Sequence, residues 1–476
     1  MSVRAFALLA IIVIGGCGAI PASPAASAPP SADYATAFSL GVEAYTYGLP
    51  LLITDVTQRT MTSVNVSQGA FGPVNQFNHV RTANVAGTSE VVAPGASSLS
   101  SIAWLDLAAE PLVLHVPVVT GHHYVLALLD PYTENIVNLA DASGTAPGDY
   151  VIAGPGQHDV PIPAGAHRIS VDYTRVWIIG STQLKGPDDI AAVNAIQDGY
   201  TLTPLRRYGT VYHPTAPATP VTTVTKADMP TGLAFFDTLG VLLAAFPPPA
   251  ADAPQLARLA HVGIGPGMTP STDAAFSEEI KRGLADAVAA GPARMKQAIA
   301  QLYRDGFAAH AGYLLGGFGR YGTDYSKRAV VATIGLGAFL PQQAIYAMAW
   351  SDSAGVALDG SADYVLHLSA APPSREGWSV TVYTVTGELI DNPLNRHAFT
   401  DTSDLVANPD GSIDIRIGAT RPATAGLDRN WLPTASGQGF EVVWRLYAPD
   451  PAQINAILDG SGWQPPAIKA NPPAAP

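Results

Sequence analysis

The chain has 476 residues, 47% hydrophobic and 13% charged, more core-forming material than one domain uses, which points to two or three domains. Its 25 basic and 38 acidic residues give a formal net charge of −13. No basic cluster offsets that charge, so nucleic-acid binding, which needs Lys and Arg gathered against phosphate, is disfavoured.

Residues 1–16 have the anatomy of a secretory signal: a positively charged start at 1–4, an apolar run at 5–14, then Gly15 and Gly16. The run is shorter than the roughly 20 apolar residues that span a bilayer. Ile14-Gly15-Gly16-Cys17 resembles a bacterial lipobox, in which the cysteine sulfur is lipidated and the signal is cut just before it. The alternative is an ordinary signal cut elsewhere. Cys17 is the only cysteine, so the folded body must hold together without disulfides although exported space would permit them. Residues 17–32, rich in Ala, Pro and Ser, read as a flexible tether. The expected address is outside the cytoplasm, as a membrane-anchored lipoprotein at the cell surface or in the periplasm.

A first helix is expected over 33–47, capped by Ser31 or Asp33, with Tyr34, Phe38 and Tyr45 on one face and Gly48 and Pro50 ending it. From 73 to about 176 the texture is β: "PLVLHVPVV", "HYVLALLD", "DYVIAG" and "TRVWIIG" are short runs rich in branched residues, separated by Gly, Pro and Asp. The 45 glycines and 41 prolines along the chain fit such short strands. "GPDDIAAVNAIQDG" reads as a helix started by Asp188 or Asp189, with Ile190, Val193 and Ile196 inward and Gly199 at its end. A stretch at 213–231, opening on a Pro- and Thr-rich loop, connects this N-terminal β-rich domain, 33–212, to a helical region at 232–350. In that region Phe276, Ile280, Leu284 and Val288 form one stripe and Met295, Ile299 and Leu302 another, and the helical texture continues through "SKRAVVATIGLGAFLPQQAIYAMAW" with a break near Pro341. Over 351–476, "ADYVLHLS", "WSVTVYTV", "GSIDIRIG" and "FEVVWRLYAP" alternate like antiparallel sandwich strands, with Phe440, Val442, Trp444 and Leu446 facing one way and Arg445 the other. The expected fold class is α+β, mostly antiparallel β, with two β-sandwich or barrel-like domains and an intervening helical region.

Several blocks, in order, carry a resemblance. "YTYGLPL" (45–51), "AWLDLAAEPLVLHVP" (103–117), "LLDPYTENI" (128–136) and "GPGQ" (154–157) make the N-terminal half resemble the bacterial domain-of-unknown-function family 1254. "WSVTVYTVTGELIDNPLNRHAF" (378–399), "NPDGSIDI" (408–415), "NWLP" (430–433) and "WRLYAP" (444–449) make the C-terminal half resemble family 1214. The resemblance implies a mostly β, often exported protein without an assigned reaction, although relatives are spoken of as hydrolases or carbohydrate-acting proteins. Where that family usually has an Asn/Asp-Thr-Leu-Tyr-Ser stretch, this chain has "ASSLSS" at 96–101. An activity that used the acidic residue and the tyrosine would be lost here.

The chain has no Gly-x-Ser-x-Gly elbow, His-Glu-x-x-His pair, phosphate loop or Cys-x-x-Cys. Gly317, Gly319 and Gly322 have dinucleotide spacing, but they follow a helical stretch and no acidic residue stands about twenty positions on, so they read as a glycine-rich turn. His115 and one of His122 and His123 could converge on a metal with Asp130 or His79, or each could be exposed or capped. The expectation is no metal and no cofactor. Asp130 is either a carboxylate acid or base or the start of a turn at Pro131, and Asp106, Glu134 and Asp352 are the other carboxylates considered. Arg396, Asn392, Asn395, Asn430 and Trp431 suit a sugar or small anion through fork, amide and stacking contacts, or else fasten loops to the sandwich. The function expected is that of an envelope lipoprotein binding a small polar ligand or glycan. The alternative is a hydrolase or lyase acting through Asp130 or Asp352. Expected partners are a membrane, through the lipid anchor, and that ligand; nucleic acid is not expected, and a homo-oligomer is compatible with the chain.

Overall fold

The computed structural model describes residues 31–83, 95, 97–214, 224–306, 312–313, 318–424 and 426–471. The signal, Cys17, nearly all of the tether and much of the 213–231 connection lie outside the described residues. In chain order the elements are α1 (Ala32–Met61), β1 (Asn78–His79), β2 (Ser98–Asp106), β3 (Leu112–Val116), β4 (Tyr124–Leu129), β5 (Asn135–Ala140), β6 (Gly148–Ala153), β7 (His167–Ser170), β8 (Arg175–Gln183), α2 (Ile190–Gly199) and β9 (Thr201–Pro204). There follow α3 (Leu233–Ala245), α4 (Ala253–Leu259), α5 (Glu278–Gly306), β10 (Gly312–Tyr313), α6 (Tyr325–Ile334), β11 (Ala344–Ala349), β12 (Tyr364–Leu368), β13 (Trp378–Thr384), β14 (Ala398–Thr400), β15 (Ile413–Gly418), β16 (Trp431–Pro433), β17 (Phe440–Tyr447), α7 (Ile454–Leu458) and β18 (Ile468–Ala470). Among the described residues the fold is α+β, with four mostly antiparallel sheets, helices between them and no closed barrel.

In the N-terminal half, the sheet β1-β2-β8-β4-β5 faces the sheet β7-β6-β3-β9. Leu105, Leu126 and Ile178 from the first meet Leu112, Leu114 and Ile152 from the second. The other face of the first sheet is covered too: Trp104 stacks on Trp177 at 4.6 Å, and Ala127 and Leu129 join them against Phe339 and Ala344. Burial on both faces explains why the β4 sequence is apolar at every position instead of alternating.

Helix α1 begins as expected, with the Ser31 hydroxyl accepting from the Tyr34 N–H, but it does not stop at Gly48 and Pro50. It runs on to Met61 with Pro50 inside it, at the loss of one ladder N–H. The glycines serve contact instead of termination. A Cβ at Gly48 would come within 2.5 Å of a Leu239 methyl on α3, and one at Gly41 within 2.7 Å of the Ala287 Cβ on α5. Around these close approaches Tyr47, Leu51, Phe235, Phe236, Leu243 and Leu284 form the helical core.

The expected stripes on α5 hold where side chains are described: Leu284, Val288 and Met295 are buried and Ile280 and Ile299 partly so, while Phe276 lies just before the helix and the Leu302 side chain is outside the described residues. The helical texture expected to continue to Trp350 breaks off earlier. Helix α6 ends at Ile334, and "AIYAMA" is strand β11, paired with β17. Apolar residues on both faces of that strand hide its period of two.

In the C-terminal half, β10-β11-β17-β13-β14 packs on β16-β15-β12-β18. The alternation expected for β17 holds: Val442 and Trp444 pair with Val382 and Val380 in the sandwich core, and Phe440 lies with them. Arg445 points the other way, opposite Ser379, yet it is buried and donates to the Tyr383 hydroxyl. Among the described residues no helix is long and apolar enough to cross a membrane.

Candidate functional site

Where β4 turns into β5, Asp130 accepts through Oδ1 from the backbone N–H groups of Tyr132 (2.8 Å) and Glu134 (2.9 Å). The turn holds Thr133 at φ 69°, a left-handed conformation that is costly for a β-branched residue and accumulates at functional sites. Burial pushes the Asp130 carboxyl up to about 7, with neighbouring Glu134 adding to the rise and the two N–H groups and Arg328 opposing it.

Glu134 leads from this turn into the helical layer. It accepts from the N–H groups of Tyr321 (2.9 Å) and Gly322 (3.1 Å) and pairs at 3.0 Å with Nη2 of Arg328 on α6. The same Nη2 donates to the Gly322 carbonyl. The glycine-rich turn is locked to β5 as well, because the Asn135 N–H donates to the Gly319 carbonyl at 2.7 Å; Gly319 sits at φ 75° with Asn135 where a Cβ would be.

Arg328 is 1% exposed. The rings of Tyr132 and Tyr325 each lie 5.7 Å from its guanidinium carbon, a cation–π arrangement. Its Nε and Nη1 are buried without a hydrogen-bond partner. Behind it Asp252, also 1% exposed, accepts from the hydroxyls of Tyr47 (3.0 Å) and Tyr325 (2.9 Å). The Tyr132 hydroxyl donates to the Phe246 carbonyl at 2.7 Å and that of Tyr173 to the Pro247 carbonyl at 3.1 Å. Burial raises all four phenols, that of Tyr325 to about 12, so they remain neutral donors at physiological pH. The junction therefore joins a cation with two unmet nitrogens, aromatic walls and a carboxyl that burial pushes up to about 7. Such a set can grip a small anion and exchange a proton with it.

Residues 74–204 match the family described as "Protein of unknown function (DUF1254)", and residues 343–451 match "Protein of unknown function (DUF1214)". The chain is a DUF1254–DUF1214 protein. A similar solved structure is the VPA0106 protein from Vibrio parahaemolyticus, with a TM-score of 0.66 and 23% identity, covering 91% of this chain and 100% of that one. That likeness is one of fold. An uncharacterised protein from Burkholderia cenocepacia aligns at a TM-score of 0.43 and 12% identity over 92% of this chain and 95% of its own. No curated protein matches.

In this DUF1254–DUF1214 protein, Asp130 and Glu134 belong to the first matched segment, while Tyr47, Asp252 and Arg328 lie outside both. The sequence reading missed those three. Arg328 alone left a trace, as a cation at the head of the apolar run "AVVATIG". The other residues singled out lie elsewhere. Asp352 starts a turn, accepting from the N–H groups of Ala354 and Val356. Arg396 donates to the carbonyls of Asp428 (2.7 Å) and Trp431 (3.1 Å). Asn395 sits in an exposed turn and bonds His397, while Asn392 bonds the carbonyls of Ile390 and Arg396. Asn430 is buried and joins Val406 to Asp414, and the Trp431 indole donates to the Gly418 carbonyl. Among the described residues no contact joins Arg396 to Asp130 or Asp352.

The three histidines do not converge. His115 pairs with Asp149, His122 with Asp189, and His123 approaches Asp141. His79 bonds Ser101, and burial pushes it down to about 4. Asp106 accepts from the Ala108 N–H at an exposed strand end. Of "ASSLSS", Ala96 is outside the described residues, and Ser97 bonds the Tyr447 hydroxyl at 3.0 Å. A shallow groove of about 540 Å³, walled by Pro111, Pro161 and Pro163 beside the Glu110–Arg206 pair, shares no residue with the junction.

Proposed function

We propose that the protein is an exported lipoprotein of the cell envelope, held to a membrane through Cys17, that binds a small organic anion at the Arg328 junction. The observation that carries the ligand reading is the pair of unpartnered nitrogens, Nε and Nη1, on Arg328. A buried donor left unmet costs about 1–3 kcal/mol, more on a charged group. Nε–H and Nη1 lie on different edges of the guanidinium, so a carboxylate oxygen placed at either edge would meet one of them and offset part of that cost. The anchor rests on the lipobox-like Ile14-Gly15-Gly16-Cys17.

Calorimetric titration with acetate, succinate and inorganic phosphate tests the ligand reading. Saturable binding is expected in the wild type and in Arg396→Ala, and its loss in Arg328→Lys, which keeps the charge and removes the guanidinium donors. Absence of saturable binding to every probe overturns it. The anchor is tested by fractionating cells: Cys17→Ser is expected to release the protein from the membrane fraction.

A second reading, a hydrolase or lyase acting on a carbohydrate or small organic substrate, is favoured by one observation, the Asp130 carboxyl poised near 7. A general acid or base works best with a pKa near the operating pH. A turnover whose pH profile breaks near 7 and is lost in Asp130→Asn would select it.

A further inference from the structure

At the opposite end of β4 from Asp130, three ligand-type side chains from both halves of the chain meet. His123 directly precedes β4, Asp141 directly follows β5, and the pairing of Val125 with Ala140 sets them side by side. Glu376 comes from the segment before β13. It is held there because the Gln183 side chain accepts from the His123 N–H and donates to the Glu376 carbonyl at 3.0 Å, while Arg375 donates to the Ala142 carbonyl. One ligand atom from each of His123, Asp141 and Glu376 lies within 4.8 Å of the others.

His123 is 4% exposed. Its Nδ1 lies 2.7 Å from Asp141 Oδ1, while its Nε2 makes no hydrogen bond. A buried ring nitrogen without a bond is costly, because buried polar groups are ordinarily satisfied. Here it stands beside two half-buried carboxylates, and no base from the described residues forms a salt bridge with either of them apart from His123 itself. A divalent ion would meet the imidazole lone pair and neutralise both carboxylates at once.

We propose that His123, Asp141 and Glu376 form a divalent-cation site that ties the DUF1254 half to the DUF1214 half. One imidazole and two carboxylates suit a first-row ion such as Zn²⁺ or Mn²⁺ more than Ca²⁺, which takes six or more oxygens. The ion's three protein ligands leave positions open for water.

The test is thermal unfolding of the full protein after chelator treatment, with Zn²⁺, Mn²⁺ or Ca²⁺ added. Zn²⁺ or Mn²⁺ is expected to raise Tm by on the order of a few degrees at a hundredfold excess over Kd, by mass action on the native state. Ca²⁺ is expected to do less. Glu376→Gln and Asp141→Asn should each abolish the rise and also the visible absorption of bound Co²⁺, whereas Arg328→Lys should leave both intact, which separates this site from the anion junction. No rise with any metal overturns the proposal. An equal rise in Glu376→Gln does so too, because it assigns the ion to another pair such as His115–Asp149 or His367–Asp414.

Discussion

Arg328 and Glu134 show how unequal the two ways of altering a buried ion pair are. Removing only the acid leaves a cation that is 2% exposed at its side chain facing aromatic rings. Glu134→Gln is expected to cost about 3 kcal/mol in urea unfolding, and the double change Glu134→Leu with Arg328→Met much less, because breaking a buried pair is costly and replacing it is nearly neutral. For Asp130 the sign follows from linkage. The unfolded carboxyl releases its proton near 3.8 and the folded one near 7, so between those values the native state holds a proton that the unfolded state has lost, and stability falls as pH rises. Glu441, pushed up to about 7 by burial, acts in the same direction, while His79, pushed down to about 4, acts in the opposite one. The informative measurement is therefore a difference. Relative to Asp130→Asn, the wild type is expected to lose about 1.4 kcal/mol per pH unit across that window. At this scale the sequence offered Asp130 and both of its roles, since "DP" before a polar run marks a turn and a carboxylate together. It could not offer Asp252 or Tyr47, whose meaning comes from a hydrogen bond between residues 205 positions apart.

Among the elements, α1 was read too short because Gly48 and Pro50 carry stop signals that tertiary packing overrides. The space those glycines leave makes a prediction that runs against helix propensity. In an exposed helix Gly→Ala gains up to about 1 kcal/mol. At Gly41 the added methyl would meet the Ala287 Cβ at 2.7 Å, so Gly41→Ala is expected to cost about 1–3 kcal/mol by overpacking and to lower Tm in a thermal scan. The start of α1, by contrast, was nearly legible: the helix begins at Ala32 instead of Asp33, and of the two caps considered it is Ser31 that bonds, over only three positions. Strand β17 was legible because Glu441 and Arg445 stand between its apolar positions, so period two shows in the residue types although both faces are buried. Strand β11 was not, because the face covered by Phe318 and Val331 carries apolar residues as well.

Across the whole molecule, the two halves are bonded and not merely adjacent. Ser97 meets Tyr447, Asn138 donates to Gln343, and Gln343 donates to Ser143. Calorimetry of the intact protein is accordingly expected to give one cooperative transition, and two resolved peaks would show that the halves melt independently. Fold class and the order of the two families could be read from the blocks along the chain, whereas the contacts between halves could not, since each partner is an ordinary Ser, Asn, Gln or Tyr. The stacked pair Trp104 and Trp177 extends this to inheritance. Their sheet belongs to the first family's segment, but the side chains that cover them, Phe339 and Ala344, come from the beginning of the second family's segment and the stretch just before it. A gene fragment encoding the first segment alone would make a protein with a bare tryptophan face, prone to clump with its own copies. Selection against such clumping gives a physical reason for the two segments to be passed on as one gene.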